Sequence, residues 1–186
     1  LMKDFTGRPK HLRPVELSDV AALSDAECVQ GTTRGHLLSG ISLASNRLWP
    51  GDLFVGLPGQ HVHGASFAKD AVRRGAAAVV TDAQGATMCA DLAVPVLVVA
   101  DPRAILGRLS AEIFDHPSGS LHMLGVTGTQ GKTTTTRLLA GALRASGVRS
   151  AVIGTVGTMI NGQQVDSDLT TPEAPELQGL LALMVE

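Results

Sequence analysis

The stretch Leu121 to Ser146, LHMLGVTGTQGKTTTTRLLAGALRAS, limits the architecture of this chain more than any other. A short apolar run, Leu121 to Val126, reads as a strand. It enters a loop holding Gly128 and Gly131, and the loop opens into a helix starting near Lys132. Glycine lets the backbone turn tightly and approach a ligand with no Cβ in the way. The first turn of a helix adds unpaired N–H groups and a partial positive charge, a combination that favours phosphate. Lys132 brings a mobile cation to the outer phosphates, and the Thr133 hydroxyl is placed to hold a magnesium ion. The stretch reads as a nucleoside-triphosphate loop, cradled by the backbone of Gly128, Thr129, Gln130, Gly131, Lys132, Thr133 and Thr134.

One position departs from the standard loop, G-x-x-x-x-G-K-[ST]. Counting back from Gly131 puts the first glycine at Val126, while glycines stand at Gly125 and Gly128 instead. The competing reading is a chance glycine-rich turn ahead of an ordinary helix. It leaves unexplained why strand, Gly-Lys-Thr and helix all fall in order.

Upstream, residues 1 to 14 read as a flexible arm with Gly7, Pro9 and Pro14. A short helix is expected over Glu16 to Leu23, and strands over Gly40 to Leu43 and Leu53 to Leu57, around the turn at Pro50-Gly51-Asp52. Phe67, Ala71 and Val72 predict a helix over Ser66 to Arg74, ended by Gly75. Ala77 to Thr81 and Val94 to Ala100 read as buried strands. Asp101-Pro102 then opens a helix, Asp supplying the cap oxygen and Pro suiting the first turn. Its apolar face is Ile105, Leu106, Leu109 and Ile113, and it ends in the linker Asp115 to Gly119.

Residues 15 to 116 can therefore close one small α/β domain, and residues 117 to 186 begin a second. In the second, the loop helix has an expected inner face of Leu138, Leu139, Ala142 and Leu143 and ends at Gly147. The strand Ser150 to Gly154 is expected to lie parallel to Leu121–Val126 through a right-handed crossover. Asn161-Gly162 predicts a hairpin. Thr170-Thr171-Pro172-Glu173 opens a last helix, with Thr at the cap and Pro in the first turn, running apolar through Leu177, Leu180, Leu181 and Met184. The fold class is α/β: a small N-terminal α/β domain, then the start of a P-loop-type, mostly parallel α/β domain. Two parallel strands are few for a nucleotide-binding sheet, so the chain is expected to be the front part of a longer enzyme.

The remaining bounds are broad. With 186 residues, 44% hydrophobic and 17% charged, the composition is that of a folded chain, not a disordered one. A formal charge of −2 gives no electrostatic reason for a nucleic-acid or anionic-membrane partner. Cys28 and Cys89 lack metal-ligand spacing and read as reduced cytosolic thiols. Apolar runs such as VPVLVVA are too short to span a bilayer, and LMKDFTGRPK has no apolar signal core. His61 and His63 sit two apart, with no third ligand near them in sequence.

Three segments then carry a family resemblance over nearly the whole chain. The form G-x-T-G-T-x-G-K-T, here within GVTGTQGKTTTT, resembles the loop of the Mur ligases and folylpolyglutamate synthases, ATP-dependent amide-forming ligases. LASNRLWPGDLFVGLPGQHVHGASFAKDAVRRGAAAVVTD resembles the UDP-binding N-terminal domain of the Mur ligases. IGTVGT followed by LTTPEAPELQ is most similar to the MurE branch, which adds the third amino acid of the peptidoglycan stem to UDP-N-acetylmuramoyl-dipeptide.

The resemblance implies a cytoplasmic, monomeric enzyme using ATP and Mg²⁺, with UDP-N-acetylmuramoyl-dipeptide and a free amino acid as partners. ATP would convert the substrate carboxylate to an acyl phosphate, and the incoming amine would displace phosphate. Lys132 would be the catalytic cation and Thr133 the magnesium ligand. Leu43 and Ser45 would contact uridine, Gln60, His61 and Val62 would form a uracil-site loop, and Thr170 and Thr171 would hold the muramoyl substrate. Helix capping is an equally good account of either threonine. The family pattern D-S-R is here Ala44-Ser45-Asn46, H-Q-A is Gln60-His61-Val62, and Gln130 stands where Asn is usual. Further magnesium ligands, a modified lysine and the amino-acid-binding domain would lie beyond Glu186, so this chain alone is expected to be inactive. Two alternatives stay open: another amide ligase of the same superfamily, folylpolyglutamate synthase-like, or a non-catalytic nucleotide-binding fragment.

Overall fold

Phe54, Val79 and Val96 are register partners across three neighbouring parallel strands, and the first unit is built around that row. The computed structural model describes residues 8–165 and 171–186, which separate into residues 11–116 and residues 117–186 with 8–10. In chain order the first unit runs β1 (Val15–Glu16), α1 (Leu17–Ser24), β2 (Glu27–Gln30), β3 (Leu37–Leu38), β4 (Gly40–Ser42) and β5 (Asp52–Gly56). It continues through α2 (Ala68–Arg73), β6 (Ala78–Thr81), α3 (Ala83–Met88), β7 (Val96–Val98) and α4 (Pro102–Ile113). Its main sheet has the order β2-β7-β6-β5-β4, with β4 to β7 parallel and β2 antiparallel at the edge.

Side chains alternate across a strand, so each face of this sheet collects its own row. The Phe54 row packs with Ala68 and Ala71 of α2, Ala65, and Cys89 just beyond α3. Leu53, Val55, Val80 and Leu97 are equally buried on the other face. There α4 lies against β4 and α1, burying Leu106, Leu109 and Ile113. A sheet covered on both sides needs continuous apolar strands, which is why these segments were legible. Asp101 caps α4 by accepting the Arg103 and Ala104 N–H groups at 2.9 and 3.0 Å. The helix expected over 66–74 is a 3-10 turn, Gly64–Phe67, leading into the shorter α2.

The second unit holds α5 (Lys132–Ala145), β8 (Ala151–Gly154), β9 (Gly157–Ile160), β10 (Gln163–Val165) and α6 (Ala174–Val185). Three expectations change here. Leu121–Val126 is not a strand, and Met123 and Leu124 are exposed. β8 is not parallel to it but forms an antiparallel hairpin with β9, and β10 continues the meander. The hairpin closes over two residues, so local closure costs far less entropy than a crossover pairing. The α5 face that lines a cleft with Val152 and Met159 is Arg137, Ala140, Gly141 and Arg144. Leu138, Leu139 and Ala142, expected to face inward, are exposed, and Leu143 is half-buried.

The turn at Asn161-Gly162 is as expected, both residues having positive φ. The last helix is not capped at Thr171, because its N-cap is Glu173 and Pro175 lies in its first turn. Proline explains the shift. With a cap at Thr171, Pro175 would be asked to donate the first helical hydrogen bond, and proline has no N–H. With Glu173 at the cap, that first bond falls to the Leu177 N–H, which donates to the Glu173 carbonyl at 2.8 Å. Thr170 lies outside the described residues.

Candidate functional site

The loop ahead of α5 is shaped by two glycines in backbone conformations that L side chains rarely adopt, Gly128 at φ +151° and Gly131 at φ +79°. Space does not demand glycine at Gly131, since an added Cβ there would meet nothing within 4 Å. Backbone conformation does. Gly131 is the N-cap, and with no side chain to offer it leaves the first turn uncapped. The first N–H groups of a helix have no intrahelical partner, so this end of α5 is a set of donors facing out. Thr129, Gln130 and Thr134 are exposed around it.

Lys132 folds back, and its Nζ donates to the Gly128 carbonyl, which lays the ammonium across the loop. The Thr133 and Thr155 hydroxyl oxygens are 3.1 Å apart. This ties the start of α5 to the end of β8. Thr155 was not singled out in the sequence, although it stands within IGTVGT; its closeness to Thr133 arises only when the helix and hairpin pack. Chemically this end of α5 can hold a polyanion: oriented N–H donors, one cation and one hydroxyl converge there.

In the first unit, the sheet's parallel strands deliver their following loops to one edge. Leu43 and Ser45 follow β4, while Gln60, His61 and Val62 follow β5. Carboxyl ends of parallel strands are where open α/β sheets take ligands. Gln60, His61 and Val62 are all exposed, with Leu43 and Ser45 half-buried. Asp70 is engaged by Arg74, then by the Ser45 hydroxyl, and these hold its carboxyl below the ordinary carboxylate range. Thr171 is exposed in the second unit.

A further group at the same edge was missed. His63 Nε2 lies 3.1 Å from Asp82 Oδ1, with the two side chains 7% and 19% exposed. Asp82 also accepts the Gly85 N–H at 2.7 Å, capping α3. Burial works against its charge, but the Gly85 amide and His63 outweigh it and hold the Asp82 carboxyl below the ordinary range. Nothing in the sequence marks a pairing across 19 residues. Among the described residues no group of three or more His, Cys, Asp or Glu side chains could hold a metal ion.

Comparison with known proteins bears on both units. A model described as the Mur ligase family catalytic domain matches residues 37–113, and one described as the Mur ligase middle domain matches residues 126–186. The chain belongs to the Mur ligase family. It is 42% identical over 182 residues to the UDP-N-acetylmuramoyl-L-alanyl-D-glutamate--2,6-diaminopimelate ligase of Streptomyces coelicolor, covering 98% of this chain and 36% of that protein. It is 41% identical over 179 residues to the UDP-N-acetylmuramyl-tripeptide synthetase of Leifsonia xyli subsp. xyli, covering 96% of this chain and 35% of that one. A solved diaminopimelate ligase of the first description matches with a TM-score of 0.68 and 26% identity, over 93% of this chain and 34% of its own. The chain thus spans about a third of the length of the relatives it matches. No helix among the described residues is long and apolar enough to cross a membrane.

Proposed function

We propose that this chain is the N-terminal part of an ATP-dependent ligase that joins an amino acid to UDP-N-acetylmuramoyl-dipeptide as the third residue of the peptidoglycan stem. The observation that carries the reading is the uncapped start of α5, with Gly128 and Gly131 in left-handed conformations and Lys132 laid across the loop. These residues fit a nucleoside triphosphate. ATP, when bound, supplies the phosphoryl group that activates the substrate carboxylate. The chain's own part is to bind and orient: backbone N–H groups from Gly128 to Thr134 take the inner phosphates, and Lys132 neutralises charge on the outer ones. Thr133 would hold Mg²⁺ in exchange for its present bond to Thr155.

The first unit, residues 11–116, takes the UDP end of the substrate at the carboxyl edge of its sheet, through Leu43, Ser45, Gln60, His61 and Val62. Thr170 and Thr171 contact the muramoyl portion. The Streptomyces coelicolor relative adds 2,6-diaminopimelate by its own description, and the same amino acid is the first to try here. The setting is cytoplasmic, where the nucleotide substrates are, and the protein acts as a monomer.

A ligand-response experiment tests this against a folylpolyglutamate synthase-like reading. UDP-N-acetylmuramoyl-dipeptide is expected to shift the thermal midpoint and the amide spectrum of the chain, and a folate is expected to do neither. A response to folate with none to the UDP-sugar would reject the proposal.

A further inference from the structure

The segment from Leu57 to Gly64 leaves the end of β5 and returns to it, because the Gly64 N–H donates to the Leu57 carbonyl at 2.7 Å. Gln60, His61 and Val62 belong to the exposed part of this closed loop, residues 58–62, and His63 is the next residue, turned inward at 7% side-chain exposure. Both ring nitrogens of His63 are used. Nδ1 accepts the Ala65 N–H at 3.1 Å. A nitrogen that accepts carries no proton, so the ring proton sits on Nε2 and points at the Asp82 carboxylate, which can only accept.

Asp82 is itself fixed from three sides. It follows directly on β6, its carboxylate caps α3 through the Gly85 N–H, and that same Oδ1 receives His63. The preceding residue, Thr81, is fully buried, and its hydroxyl donates to the Gly56 carbonyl at 2.8 Å, at the point where the loop leaves β5. The loop is therefore clamped at its exit by Thr81 and at its return by His63. Side chains that hold a ring this way lock its rotamer, and a site is presented accurately only when such support exists.

We propose that His63 is a positioning residue: through its Nε2–H bond to Asp82 it fixes the conformation in which Gln60, His61 and Val62 are presented to a uracil nucleotide. The nucleotide half of this statement rests on the function proposed above, and the loop half stands without it. His63 does not touch the nucleotide; it acts through the three residues before it.

The test separates the two halves. His63→Asn keeps a short acceptor for the Ala65 N–H, as asparagine does at a helix cap, but removes the bond to Asp82. In the 186-residue chain it is expected to shift the amide resonances of Gln60, His61 and Val62 while leaving the chain folded. It should also weaken UDP binding about tenfold, the size of one lost hydrogen bond to a charged group. In the unaltered chain, ¹⁵N spectra should show the Nε2-protonated tautomer, and Asp82→Ala should move that signal. Unchanged loop resonances in His63→Asn, or an Nδ1-protonated ring, would overturn the positioning role whether or not UDP binds. Unchanged UDP affinity with altered loop resonances would overturn the link to the nucleotide. If the unaltered chain fails to bind UDP, the proposed function fails at this site, and the loop spectra still decide the role of His63.

Discussion

Replacing Gly85 with Ala tests how closely the clamp at the carboxyl edge of the first sheet is packed. Gly85 lies in α3, where alanine is intrinsically the better helix former by about 1 kcal/mol. On helix propensity alone the change should stabilise. The surroundings say otherwise. A Cβ on Gly85 would overlap the Thr81 hydroxyl oxygen outright, and would lie 2.7 Å from His63 Cε1 and 2.9 Å from Ala65 Cβ. None of these can retreat freely. Thr81 and Ala65 are buried, and Thr81 donates to Gly56. Overpacking of this kind costs about 1–3 kcal/mol, and losing the buried Thr81 bond adds about 1–3 kcal/mol more. After the helix gain is set against them, a net loss of about 1–5 kcal/mol is expected. Gly107 in α4 is the matched control, because a Cβ there meets nothing within 4 Å. Gly107→Ala should stabilise by roughly 0.5–1 kcal/mol. Urea denaturation of the two variants beside the parent, with the slope unchanged, reads both values. If Gly85→Ala were as stabilising as Gly107→Ala, the close packing of α3 against β6 and His63 would be refuted.

Asp101→Ala should cost about 1 kcal/mol in urea denaturation, since the N–H groups of Arg103 and Ala104 lose their acceptor; no change would refute the capping role. The acid limb of stability should involve Asp82, whose carboxyl is held below its ordinary range. A depressed folded-state value contributes stability above the unfolded value of about 4, lost as pH falls through the folded one. The stability difference between the parent and Asp82→Asn should thus hold steady above about pH 5 and shrink toward pH 3. A gap that widens on acidification would contradict this. In the proposed full-length ligase, Lys132→Ala should lower kcat by a factor on the order of a hundred or more and weaken ATP binding less, because backbone N–H groups still hold the inner phosphates. Near-normal kcat in a folded variant would remove the loop from the proposed ATP site.

What the sequence settled by itself was local. Asp101-Pro102 opening α4, Asn161-Gly162 turning the last hairpin and Gly-Lys-Thr starting α5 each act within a few residues, so composition and spacing suffice to find them. The parallel strands β4 to β7 of the first sheet were legible for a related reason, since strands buried on both faces must be apolar throughout, while the half-exposed edge strand β2 was not read from the sequence. Tertiary structure decided the rest. Leu121–Val126 has the composition of a strand, but a strand needs a partner, and β8 pairs instead with β9, two residues away. The same hairpin takes the Ala140–Gly141 face of α5, leaving Leu138 and Leu139 exposed, a choice helical periodicity cannot make. The His63–Asp82 pair joins a loop to the next strand across 19 residues. No pattern in the chain announces it, because what makes the bond is that β5 and β6 end side by side.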